Sequence, residues 1–185
     1  MELFRDFPSY LSLLSKKITE IDVQQLQAAR ELIVNCRETG GKIICAGNGG
    51  SASIASHTAV DLTKAAKVRA ITFNEANLVT CFANDFGYEN WLAKALESYA
   101  DKGDCAILIS SSGKSKNILN AAKYAKENGL SVITLSGFAA NNPLRSAGDI
   151  NLWVDSQGYN IIEMAHHVWL SAVIDAIVGR VEYPA

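Results

Sequence analysis

Apolar residues recur at helical spacing in two N-terminal segments. Leu11, Leu13, Leu14 and Ile18 mark residues 9–20, and Leu26, Ala29, Ile33 and Cys36 mark residues 23–38. Both predict helices, the second opened by Asp22 as its cap and stopped by Gly40 and Gly41. The pattern then changes to short apolar runs without alternation: KIICA (42–46), RAITF (69–73), DCAILIS (104–110), LSVITLS (130–136) and INLWV (150–154). Strands that are apolar on both faces belong in a parallel sheet covered by helices. A long helix over about 160–180 closes the chain. Helix, helix, then repeated β–α units predict an α/β fold, a doubly wound three-layer sandwich on a five-stranded parallel sheet. No repeat, low-complexity run or long linker divides residues 1–185, so one domain is expected.

The last segment is apolar enough to raise the question of a membrane. Glu163, His166, His167 and Asp175 interrupt it, which suits a helix buried in a core or at a subunit interface better than one in lipid. Seventeen Lys and Arg against nineteen Asp and Glu give a net charge of -2, without the basic excess that a phosphate backbone demands. Neither nucleic acid nor membrane is an expected partner. Acidic Glu2 and Asp6 stand where a secretion signal would be basic, and four cysteines show no CxxC spacing. These features predict a cytoplasmic protein with reduced thiols.

Candidate chemistry gathers after two of the strands. The first turn reads Gly47, Asn48, Gly49, Gly50, Ser51, Ala52, Ser53 and runs directly into a helical pattern, so glycine-rich backbone N–H groups and a helix N-terminus face one spot. The second reads Ser110, Ser111, Ser112, Gly113, Lys114, Ser115 at another strand-to-helix turn. Hydroxyl and amide donors without a Walker lysine or a GxGxxG spacing point to a small phosphate ester. The simpler reading is a pair of serine-capped turns. Of the three histidines, His57 pairs i,i+4 with Asp61, and His167 pairs i,i+4 with Glu163, with His166 beside it. Carboxylates and imidazoles near a bound sugar phosphate could transfer protons or bind a divalent metal such as zinc.

GNGGSAS, NDFGY (84–88), ISSSGKSKNI (109–118), VITLSGF (132–138) and the EM…H helix occur in this order over nearly the whole chain. In this the chain resembles the SIS (sugar isomerase) domain and, within it, the phosphoheptose isomerases that act on sedoheptulose 7-phosphate. The resemblance implies a phosphate held by Ser51, Ser110, Ser111, Ser112 and Ser115, with Asn48 and Asp85 lining the sugar. It also implies a homotetramer in which the helices of residues 1–40 pack together. Two departures accompany it. Where those isomerases carry a histidine followed four residues on by a glutamate, this chain has His57 and Asp61, one methylene shorter. Where they carry a glutamine and, eight residues later, a catalytic histidine, it has Ile162 and Leu170.

His166 lies i+4 from Ile162 and i−4 from Leu170, so it is expected to share their helical face and to take over their role. The expected acid–base set is then Asp61, Glu163, His166 and His167, and His57, Asp61 and His166 form the candidate zinc ligands. The predicted activity is aldose–ketose isomerisation of a phosphosugar through an enediol. A phosphosugar-binding module without catalysis, similar to the DnaA-binding initiation regulator, is the reading of a different class. A related isomerase for another phosphosugar is a third.

Overall fold

A computed structural model describes residues 4–182. Helices α1 (Phe7–Thr19) and α2 (Val23–Glu38) precede β1 (Ile43–Gly47), α3 (Gly50–Lys64) and β2 (Ala70–Thr72). Then come α4 (Ala76–Phe86), α5 (Trp91–Tyr99), β3 (Cys105–Ser110), α6 (Lys116–Glu127), β4 (Ser131–Ser136), β5 (Ile150–Trp153) and α7 (Tyr159–Val178). A 3-10 turn, Pro143–Ser146, lies between β4 and β5. The strands form one parallel sheet in the order β2-β1-β3-β4-β5. All five predicted strands are present.

Alternation within each strand splits the core in two. Ile43, Cys45, Cys105, Ile107 and Ile109 face α2, α3 and α7, and Ile44, Ala46, Ala106 and Leu108 face α5 and α6. Burial on both faces is why the runs read as continuously apolar. The expected start of α1 at residue 9 is corrected to Phe7. Asp6 caps it by accepting from Ser9 N at 2.7 Å, and Pro8 fits a first helical turn that needs no N–H there. Asp22 caps α2 as expected, accepting from Gln24 N at 2.9 Å. Between β2 and β3 the chain makes two helices, α4 and α5, parted at Gly87 with φ +81°.

Helix α7 is long and apolar enough to cross a membrane. Here it is a core helix: Ile161, Ile162, Ala165, His166, Trp169, Leu170, Val173 and Ile174 are all buried. Trp169 Nε1 donates to Ile18 O at 2.9 Å and Arg30 Nε donates to Ala176 O at 3.2 Å, fixing α7 against the end of α1 and the middle of α2.

The N-terminal ends of β1 and β3 are joined by one buried carboxylate. Asp104 accepts from Lys42 N and Asp101 N, both at 2.8 Å, and pairs with Lys42 Nζ at 2.5 Å. Asp104→Ala leaves those N–H groups and the ammonium without that partner. It is expected to cost about 2–4 kcal/mol of stability. By the size of the chain this is a fall of roughly 10 °C in Tm. Calorimetry measures it, and phosphate affinity at the far end of the strands should be unchanged.

Candidate active site

In a doubly wound sheet the ligand crevice lies where the strand order reverses, outside the C-terminal ends of the strands. Here that point is between β1 and β3. Their following turns enclose a cavity of about 130 Å³ lined by Asn48, Ser51, Ile109, Ser110, Ser111, Ser112, Ser115, Tyr159 and Glu163. It combines the first turns of α3 and α7 with the cap of α6. The first N–H groups of a helix have no intrahelical partner, and the helix dipole favours negative charge there. Among the described residues, no lysine or arginine lines the cavity.

Its hydroxyls are positioned but not all used. Ser110 and Ser115 share a hydrogen bond of 2.9 Å, and Ser112 Oγ accepts from Lys114 N at 3.3 Å. Ser111 Oγ is buried with no partner. An unpaired buried hydroxyl costs free energy unless a ligand satisfies it. The serine at 111 is therefore the sharpest sign of a bound acceptor.

The serine loop is clamped from behind. Gly113 adopts φ +64°, and a Cβ there would lie 1.9 Å from Asn142 Oδ1. Asn142 donates to Ser136 Oγ, Gly137 O and Ala139 O at 3.2, 3.0 and 2.8 Å and accepts from Arg145 N at 3.0 Å. Gly137 N donates to Ser111 O at 2.8 Å.

The floor is a second polar cluster. Asn48 and Asn117 exchange hydrogen bonds of 3.0 and 2.9 Å, and Tyr88 OH donates to Asn48 Oδ1 at 3.1 Å. Asn117, Tyr88 and Tyr159 were not expected from the sequence. An asparagine in the first turn of α6 is a weak signal because asparagine favours helix ends anyway, Tyr88 stands out only as the last residue of NDFGY, and Tyr159 carries no signal.

Helices α3 and α7 pack along a seam that begins at this cavity. Gly50 stands against the Glu163 carboxylate, where a Cβ would lie 2.2 Å from Oε2. One to two turns further on, the rings of His57 and His167 meet edge to face, 4.7 Å between centroids. His57 Nε2 lies 2.9 Å from Asp61 Oδ2, an i,i+4 contact on α3. Partial burial, with the neighbouring His57, lowers the pKa of His167, and Asp61 opposes that shift.

The seven residues Asn48, Ser51, Ser110, Ser111, Ser112, Ser115 and Glu163 thus come together as the sequence predicts, with Gly49 and Gly50 in the turn at the edge. Three expectations need correction. His166 does share a face with Ile162 and Leu170, but that face is the core: all three are buried. Its Nε2 donates to Ser136 O at 3.1 Å, and burial pushes its pKa down to about 4 against that bond. It is a neutral structural residue. The zinc set of His57, Asp61 and His166 is consequently not assembled, and no group of three His, Cys, Asp or Glu side chains suited to a metal occurs among the described residues. The donors present do not fit the expected ion. Asp85 does not line the cavity; it is exposed and accepts from Asn84 Nδ2 at 2.9 Å, while Tyr88 is the residue of that segment that reaches Asn48.

A wider groove of about 690 Å³ between α1 and residues 155–158 shares no lining residue with the serine cavity.

Comparison with known proteins agrees with this fold. Residues 6–137 match the SIS domain family. The chain is 32% identical over 179 residues to the phosphoheptose isomerase of Helicobacter pylori, covering 94% of this chain and 92% of that one. It is 40% identical over 123 residues to the phosphoheptose isomerase of Haemophilus ducreyi, a match spanning 64% of this chain and 63% of that relative. The solved structure of phosphoheptose isomerase GmhA from Neisseria gonorrhoeae superposes with a TM-score of 0.84 at 28% identity, covering 91% and 93% of the two chains.

Two outcomes follow for stability. Gly113→Ala drives a methyl into Asn142 and strains a left-handed position, so calorimetry should show a loss of about 1–3 kcal/mol, together with weakened phosphate binding. His166 is neutral when folded, so the unfolded chain takes up the proton first. Its stabilisation is complete above pH 6.5 and is lost as the pH falls toward about 4. The loss is on the order of 3 kcal/mol. Urea unfolding of His166→Gln across that window should show a flatter dependence than the parent.

Proposed function

The chain belongs to the SIS domain family and, within it, to the phosphoheptose isomerases, and from that premise we propose that it interconverts sedoheptulose 7-phosphate and D-glycero-D-manno-heptose 7-phosphate through an enediol. The observation that carries this reading is the unpartnered Ser111 hydroxyl inside a cavity of serine donors at three helix N-termini. A phosphate there would accept from Ser51, Ser110, Ser111, Ser112 and Ser115 and from backbone N–H groups. Neutral donors and helix dipoles would balance its charge. Glu163, the sole charged side chain of the lining, marks the side on which the sugar lies, since a carboxylate against the phosphate would repel it. From there it is placed to accept or return a hydroxyl proton as the sugar opens.

Binding without turnover is a second reading, favoured by the burial of Ile162 and Leu170 at the positions where the resemblance implies the glutamine and histidine. We further propose self-association through α1, none of whose residues is buried and whose Phe7 and Leu11 are exposed. The four free thiols fit a reducing cytoplasm.

An NMR time course with sedoheptulose 7-phosphate tests the main reading: conversion is expected, and binding without conversion would favour the second. Ser111→Ala should raise KM about 10- to 100-fold while leaving Tm unchanged or slightly higher, because the orphaned hydroxyl is gone. Gly50→Ala should fold normally, since that position is helical and the obstructing atoms are the flexible end of Glu163. By displacing the carboxylate it should lower kcat in the same direction as Glu163→Gln, whose expected loss is about 100-fold. Steady-state assays compare the two.

A further inference from the structure

With His166 in the core and Ile162 and Leu170 apolar, the proton that must move between C1 and C2 has no carrier on the buried face of α7. The seam between α3 and α7 offers one. Gly50 and His57 are seven residues apart, two turns on one face of α3, and Glu163 and His167 are one turn apart on α7. The helices therefore set Glu163 against Gly50 at the cavity and His167 against His57 further along. The step from Gly50 to His57 is about 10 Å of helix, the span of an open-chain phosphosugar of six or seven carbons. A phosphate in the serine cavity and a carbonyl end at the imidazole pair would lie at the two ends of one track. His57 is exposed and His167 half-buried, so a ligand has access to both.

We infer that His57 and His167 form the proton-transfer pair of the isomerisation, with Asp61 as a positioning residue. This rests on the isomerase reading. Asp61 Oδ2 lies 2.9 Å from His57 Nε2, close enough to hold the ring's orientation and to balance charge developing on it. One imidazole takes a proton from C1 of the open ketose as its C–H electron pair forms the C1=C2 bond, and the other gives a proton to O2. The enediol then loses the proton of O1 as C2 gains one, yielding the aldose with no oxidant or reductant consumed. Two adjacent rings that cannot both be charged cheaply suit an acid and a base acting together.

The test is sedoheptulose 7-phosphate in D2O followed by NMR, which reads conversion and deuterium entry at C1 and C2 separately. The parent should do both. His167→Ala should lose about 100-fold in kcat with KM within about threefold, with added imidazole restoring part of the rate. His57→Gln should behave alike. Full activity in His167→Ala with an active parent would overturn the proposal and leave the isomerase reading standing. A rate loss that imidazole does not restore, accompanied by an equal loss of phosphate affinity or a lowered Tm, would assign His167 a structural role and also overturn it. A parent that neither converts nor exchanges would overturn the isomerase reading and this proposal together.

Discussion

The pairing of β1 with β3 is the constraint on which the rest of the molecule depends. Cys45 opposite Ile107 and Gly47 opposite Ile109 end the two strands level with each other. Because the chain leaves β1 toward one side of the sheet and β3 toward the other, their turns splay apart and leave a crevice. Every hydroxyl of the cavity except Tyr159 belongs to one of those turns or the helix behind it. A slip of register would reverse inward and outward residues along a strand and bury the serines among Ile and Leu. Registry is set at the opposite end of the sheet by Asp104, some five residues from the turns it aligns.

Recognition of an anion without a cation has a chemical logic. A lysine in the cavity would grip a dianion strongly but would sit as an uncompensated buried charge when the site is empty. Serine hydroxyls can turn toward one another, as Ser110 and Ser115 do, and helix N–H groups are present whether or not a ligand comes. Among the described residues that line the cavity, Ser111 alone has a buried hydroxyl without a partner. The cost of emptiness is thus confined to one group.

Much of this could be read from the amino-acid order because its signals are local. Continuous apolar runs gave the strands, since each is buried on both faces, and glycine or serine clusters at fixed positions after them gave the two turns. Asp22 was legible as a cap for the same reason. What was hidden depends on which face of a helix meets what. Helical spacing put His166 level with Ile162 and Leu170, correctly, but spacing does not say whether a face looks at a core or a cleft. His167, one residue on, looks the other way and meets His57 from a helix more than a hundred residues earlier. Asn142 and Tyr88 were invisible for a similar reason: their partners are backbone carbonyls and an amide brought close only by the fold.

The packing of Ile162 also limits what α7 can accept. A Cβ added to Gly137 would lie 2.5 Å from Ile162 Cδ1, and Leu170 lies in the same cluster. Exchanging either apolar residue for glutamine or histidine, one at a time, would force a polar group of different shape into a space already closed by Gly137 and the surrounding core. Each single step is therefore a loss, and only a concerted repacking of α7 against β4 would recover it. The two faces of the helix thus differ in how much change they admit: the outer seam can be altered one residue at a time, and the inner face cannot.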